Sequence, residues 1–174
     1  MQRILIIGNS GAGKSTFAIA LAEKLGLPLV HLDKLFWNGN WEHVSRDEFD
    51  TLLQQALEQP QWIIDGNFDR TMPRRLEYCD AVFFFDIPTA MCLWGITKRV
   101  FTNYGKTRRD MGGNCPEYFD MEKLKLCRHV LGFNRQYRKN YYALLEKATH
   151  AKVTVFRNRK QARQFLEQID KRVD

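Results

Sequence analysis

Gly8-Asn9-Ser10-Gly11-Ala12-Gly13-Lys14-Ser15 is the stretch on which the fold turns. It fits G-x-x-x-x-G-K-S/T, a glycine-rich loop whose backbone N–H groups can face one polyphosphate. That pattern carries weight only between a strand and a helix, and both flanks comply. Upstream, Ile4-Leu5-Ile6-Ile7 is a short apolar run of the kind that forms a buried parallel strand. Downstream, Thr16 to Leu25 is rich in Ala and Leu and ends at Gly26, which predicts a helix with a glycine stop. Gly8, Ser10, Gly11, Ala12, Gly13, Lys14, Ser15 and Thr16 are therefore the candidates for holding the phosphates of a nucleoside triphosphate such as ATP. Lys14 adds a point charge, and the Ser15 hydroxyl is placed to hold Mg²⁺.

Working outward, strand candidates recur with helical patterns between them. Leu29-Val30-His31-Leu32 ends at Asp33, and Trp62-Ile63-Ile64 ends at Asp65-Gly66. Ala81-Val82-Phe83-Phe84-Phe85 is so uniformly apolar that it belongs in the sheet interior, covered on both faces, and Lys152 to Phe156 is the last strand. Helices are predicted from about Ser45 to Glu58, Pro73 to Tyr78, Pro88 to Val100, Met121 to Lys147 and Gln161 to Ile169, with Ser45-x-x-Glu48 as a capping box. Residues 103–118 are turn-rich and basic, and predict a mobile lid. The expected fold is α/β: one domain, 1–174, with a five-stranded parallel sheet between two helix layers.

The 174 residues suffice for a proper core, and 44% hydrophobic with 27% charged is an ordinary globular balance. No apolar stretch approaches the roughly twenty residues of a membrane helix. Met1-Gln2-Arg3 runs straight into the first strand, leaving no room for a signal peptide. Cys79, Cys92, Cys115 and Cys127 are scattered, so the expectation is a cytoplasmic protein with reduced thiols. The net charge of +7 is matched by residues 98–147 alone, where twelve Lys and Arg face five acids. That basic segment implies an anionic partner: a small anionic metabolite, a nucleotide, or DNA.

In open parallel sheets, ligands gather beyond the carboxyl ends of the strands, which nominates Asp33 and Asp65. One suits Mg²⁺ and the other an acceptor hydroxyl, and the alternative for each is a turn or capping role. The leading assignment makes Lys14, Asp33 and Arg108 catalytic, with Asp65 one layer behind a metal held by Ser15. Arg108 and Arg109 can close as guanidinium groups over a transferring phosphate. Gly66, Arg70 and Arg75, just after Asp65, join Trp37 and Arg109 as candidate substrate contacts; Arg70, Arg74 and Arg75 could equally pair on the surface with Glu77 or Asp69. Phe36, Trp37 and Trp41 make either a ring-binding pocket or a core corner. Arg128, Arg135 and Lys139 share one helical stripe that is either phosphate-facing or solvated, and His31 reads as structural.

With these residues placed, the layout resembles the adenylate-kinase-like P-loop kinases. Ile63-Ile64-Asp65-Gly66-Asn67-Phe68-Asp69-Arg70-Thr71 is similar to the D-G-F-P-R signature, with one residue more before Arg70 and no Pro. Thr97-Lys98-Arg99 resembles the helix end before an adenylate kinase lid, which implies an ATP contact for Arg99. Lys106-Thr107-Arg108 is similar to the lid arginine of shikimate kinases. Over nearly the whole chain, His31-Leu32-Asp33-Lys34, Trp62 to Asn67, Gly105 to Gly112 and Cys115-Pro116-Glu117 resemble the bacterial DNA topology modulation (FlaR-related) proteins. The resemblance implies an ATP- and Mg²⁺-dependent phosphotransferase with a small-molecule or nucleotide acceptor. Its alternative is an ATP-binding, nucleic-acid-associated regulator of DNA topology that grips DNA through residues 98–147.

Overall fold

The structure, a computed structural model, describes residues 1–170. β1 (Arg3–Gly8) passes through the glycine loop into α1 (Lys14–Leu25), followed by β2 (Leu29–His31), α2 (Leu32–Phe36) and a hairpin of β3 (Trp37–Gly39) and β4 (Glu42–His43). Next come α3 (Arg46–Leu57), β5 (Trp62–Asp65), a 3₁₀ turn (Asp69–Thr71), α4 (Met72–Tyr78) and β6 (Ala81–Phe85). α5 (Thr89–Thr102), α6 (Met121–Gln136), α7 (Arg138–Lys147), β7 (Lys152–Phe156) and α8 (Arg159–Asp170) complete the order.

The sheet runs β2-β5-β1-β6-β7 with every pairing parallel. Because side chains alternate along a strand, the apolar runs divide between two cores. Leu5, Ile7, Ile64, Val82 and Phe84 face one side, where α3 (Phe49, Leu53), α4 (Met72, Leu76) and α7 (Tyr141, Leu145) cover them. Ile4, Ile6, Ile63, Phe83 and Phe85 face the other, under α1 (Phe17, Leu21), α5 (Cys92, Ile96) and α8 (Ala162, Phe165). Each such side chain removed from water contributes about 1.5–3 kcal/mol, so the two layers hold the sheet without any cross-link. The expected architecture is the observed one. α1 stops where Gly26 (φ 65°) turns its N–H back to the Ala22 carbonyl, and Ser45 Oγ accepts from Glu48 N at 3.1 Å.

Three local features differ from expectation. The long helix over 121–147 is two helices, broken at Tyr137 (φ −114°). Beyond the break Arg138 is drawn to Asp86, with Nε and Nη2 both 2.7 Å from its oxygens, and Tyr141 packs into the core with its hydroxyl donating to Asp69. The β3–β4 hairpin was not foreseen, and α2 begins directly at the end of β2, so Asp33 lies in a helical first turn. The third feature is the 103–118 segment. It is a strap bridged at Tyr104–Glu117 and Thr107–Pro116, with Asp110, Met111, Cys115 and Glu117 buried. It lies on the hairpin: Asn40 N donates to the Asn114 carbonyl at 2.7 Å and Trp41 Nε1 to the Pro116 carbonyl at 3.2 Å.

Candidate active site

The glycine loop closes over the carboxyl end of the sheet and rests on α5. Gly11 is at φ 76°, and a Cβ there would lie 2.2 Å from the Cys92 carbonyl oxygen; a Cβ on Gly95 would lie 2.1 Å from the Gly11 oxygen. Both positions are therefore closed to any side chain. From the other side Arg159, at the start of α8, donates to the carbonyls of Gly11 (2.8 Å) and Met91 (2.8 Å) and, at 3.3 Å, of Ala12. Arg159 thereby occupies the Gly11 and Ala12 carbonyls, while of the loop amides Ala12 N donates to the Asn9 carbonyl at 3.3 Å.

A cavity of about 1070 Å³ opens over this loop. Ser10 through Thr16, Asp33, Asp65, Gly66, Arg99, Arg108, Arg109 and Asp110 all line it. Gly8 lies beneath, its N–H donating to Asn67 Oδ1 at 3.0 Å. A second cavity, about 550 Å³, shares Ser10, Asp33, Arg99 and Arg108 with the first and extends past Trp37 and Trp41. Asp33 thus stands at the boundary of the two. Burial raises its pKa, against the pull of Arg108 and Lys14. Lys14 Nζ donates to the Asn9 carbonyl at 3.1 Å; burial lowers its pKa, opposed by Asp65 and Asp33. Asp65 has one oxygen at 3.0 Å from His31 Nδ1, and the other is buried without a hydrogen-bond partner. That orphaned oxygen, beside Ser15 on the same cavity wall, fits a metal-bound water. Among the described residues, no cluster of three or more His, Cys, Asp or Glu side chains could itself hold a metal ion.

Arg99 and Arg108 converge on a residue for which the sequence suggested no role. Glu117 is fully buried; its Oε1 lies 2.7 Å from Arg108 Nε and 3.6 Å from Arg99 Nε, and its Oε2 lies 2.7 Å from Lys123 Nζ. Arg108 also donates to Asp110 Oδ2 at 2.8 Å. Burial alone would raise the Asp110 pKa, but the Arg108 charge and then the Ser15 hydroxyl outweigh it and hold it low. Asp110 on the strap and Ser15 on α1 thus share one cavity wall. Glu117 is one of five acids in the basic stretch and lies in the Cys115-Pro116-Glu117 segment quoted above, but neither fact indicated burial against two arginines. Arg159 and Asn67 offered no signal, since only the folded chain brings them to the loop.

Several expected contacts go elsewhere. Arg70 is half exposed and pairs with Asp50 through two hydrogen bonds, at 2.8 and 2.5 Å, away from both cavities. Arg75 is fully buried and donates to the carbonyls of Gly66, Asn67 and Phe68; burial lowers its pKa to about 10. It braces the turn after β5 from below and cannot meet a substrate. Trp37 lines only the second cavity. The basic segment also differs from a nucleic-acid grip. Arg99, Arg108 and Lys123 turn inward to Glu117 and Arg138 to Asp86, and the Arg128, Arg135 and Lys139 stripe is left exposed to solvent. DNA binding finds no support in this arrangement.

No family model matches the chain. A segment of 35 residues is 51% identical to adenylate kinases of Mycobacterium tuberculosis and Mycobacterium bovis, spanning 20% of this chain and 19% of theirs. Among solved structures, a deoxyadenosine kinase from M. mycoides with bound dATP matches 99% of both chains at TM-score 0.60 and 16% identity. A shikimate kinase from Acinetobacter baumannii in complex with shikimate matches 99% of this chain and 94% of its own at TM-score 0.54 and 16% identity. The five-stranded parallel sheet, the glycine loop and these two likenesses together give the chain the α/β fold of the P-loop nucleoside and shikimate kinases.

Proposed function

We propose that this chain is an ATP- and Mg²⁺-dependent phosphotransferase acting on a small hydroxyl-bearing acceptor. The observation that carries the reading is Asp33, a carboxylate shared by the cavity over the glycine loop and the cavity beside it. The loop amides and Lys14 would hold the donor phosphates, while an acceptor hydroxyl entering from the second cavity would meet Asp33 as base. Asp33's raised pKa suits it to take that proton. Arg99 and Arg108, with Arg109 on the first cavity's rim, would offset charge developing on the transferring group. Ser15 would hold Mg²⁺, with Asp65 behind it, the ion screening phosphate charge when bound. The 103–118 strap acts as the lid, excluding water until both substrates are seated.

The partial identity to adenylate kinases and the dATP bound to the deoxyadenosine kinase support a nucleotide donor. The resemblance to the DNA topology modulation proteins rests on the segments quoted above and is compatible with this chemistry. Among the described residues no helix is long and apolar enough to cross a membrane, and the four cysteines are free, which agrees with a cytoplasmic setting. The test is ADP release over a panel of nucleosides, nucleoside monophosphates and hydroxy acids. An acceptor should raise turnover well above background, and Lys14→Ala should abolish that increment while leaving the circular dichroism spectrum unchanged. Undiminished transfer by the Lys14→Ala protein would refute the reading.

A further inference from the structure

The second cavity has a charge pattern that selects its ligand. At about 550 Å³ it is of small-molecule size. Part of its wall is aromatic: the Trp37 and Trp41 rings meet edge to face at 5.4 Å, and Lys123 Nζ sits 4.4 Å over the Trp41 ring. Its cations are already engaged. Lys123 and Arg108 lie 2.7 Å from Glu117, Arg108 also holds Asp110, and Lys125 pairs with Glu122 at 2.5 Å. Only Arg99 is loosely held, at 3.6 Å from Glu117, and it also faces the donor cavity. Asp33 opposes them: its carboxylate makes no hydrogen bond or ion pair among the described residues. Asp120, whose Oδ1 accepts from Lys123 N at 2.9 Å, adds a second negative charge to the wall. A phosphate or carboxylate entering here would find Arg99 as its one loosely held guanidinium and would meet the Asp33 and Asp120 carboxylates.

Resting on the phosphotransferase reading, we infer that this cavity takes an uncharged acceptor bearing a planar ring and a free hydroxyl, the chemistry of a nucleoside, and rejects its phosphorylated form. The ring lies against Trp37 and Trp41, and the hydroxyl points to Asp33. A neutral acceptor departs from the anionic one expected from the net charge, because Arg99, Arg108 and Lys123, which contribute to that surplus, already face Glu117 within the fold.

The experiment titrates the full chain with each common nucleoside and with its own 5′-monophosphate at fixed ionic strength, following tryptophan fluorescence. A ring-free cyclic polyol serves as a third probe. The nucleoside should bind at least tenfold more tightly than its monophosphate and than the polyol. Asp33→Asn, of nearly the same shape, should shrink the nucleoside-to-monophosphate ratio severalfold by removing the repelling charge. A monophosphate binding as tightly as its nucleoside would overturn the inference, as would a polyol binding equally well, an unchanged ratio in Asp33→Asn, or no response to any probe. Calorimetry with ATP separates the two levels. Heat with ATP but silence with every nucleoside defeats only this inference, whereas nucleoside binding without ATP binding defeats the phosphotransfer reading.

Discussion

Asp33 closes a strand, opens α2 and carries a carboxyl whose charged form burial disfavours. In the unfolded chain that proton leaves at the ordinary carboxylate pKa, so between the ordinary and the raised value the folded state binds more protons. Its contribution to stability is therefore fully present below the ordinary pKa and is lost as pH rises through the raised one. Asp33→Asn should melt higher than the parent at neutral pH and lack that part of the pH slope, while losing nearly all turnover. Thermal melts across about pH 4 to 8 check this, and superimposable slopes would contradict it. The acid limb of turnover should also lie above the usual carboxylate range. Lys14 and Asp33 were legible in the chain because a strand end and a glycine loop fix where such residues go. Arg70 and Arg75 were not separable: both follow Asp65 closely, and which one turns inward depends on Asp50 and on three carbonyls that only the folded turn presents.

At the scale of elements, the strap and the β3–β4 hairpin form one contact. Gly112 makes it possible, since a Cβ there would lie 2.1 Å from the Trp37 carbonyl oxygen. Backbone cannot yield as a side-chain tip can, so Gly112→Ala should lift the strap from the hairpin. Amide exchange within 103–118 is expected to quicken at least tenfold while the sheet strands keep their protection. Equal protection in parent and variant would show that the contact does not hold the strap. The hairpin escaped notice because residues 37–43 show no clean alternation, and its order comes from Asn114 and Pro116 far along the chain. The break at Tyr137 was equally hidden, as its apolar spacing runs on through both helices. Elements that stand on their own periodicity, such as β6 and α3, were legible almost to the residue.

For the whole molecule, the proposed donor site, drawn from the glycine loop, α1, α2, β5 and the strap, would link ligand binding to global stability. ATP with Mg²⁺ at about a hundred times Kd should add about 2.7 kcal/mol, or roughly 5–10 °C in Tm for a chain of this size. The Lys14→Ala protein should show little of that shift, and an equal rise in both proteins would place the nucleotide elsewhere. The parallel sheet followed from apolar runs alternating with amphipathic ones, because parallel strands need crossovers, whereas the order β2-β5-β1-β6-β7 was visible only in the folded chain. Composition counts the cations of residues 98–147 without knowing that Glu117 and Asp86 draw four of them inward, so the surplus overstates the charge that faces solvent.

Arg159 comes from the last described helix, yet it is what ties down the carbonyls of Gly11 and Ala12. Residues 11 and 159 lie far apart in sequence, so the shape of the loop waits on the docking of α8, and loosening that one helix would slacken the loop while the sheet stayed paired.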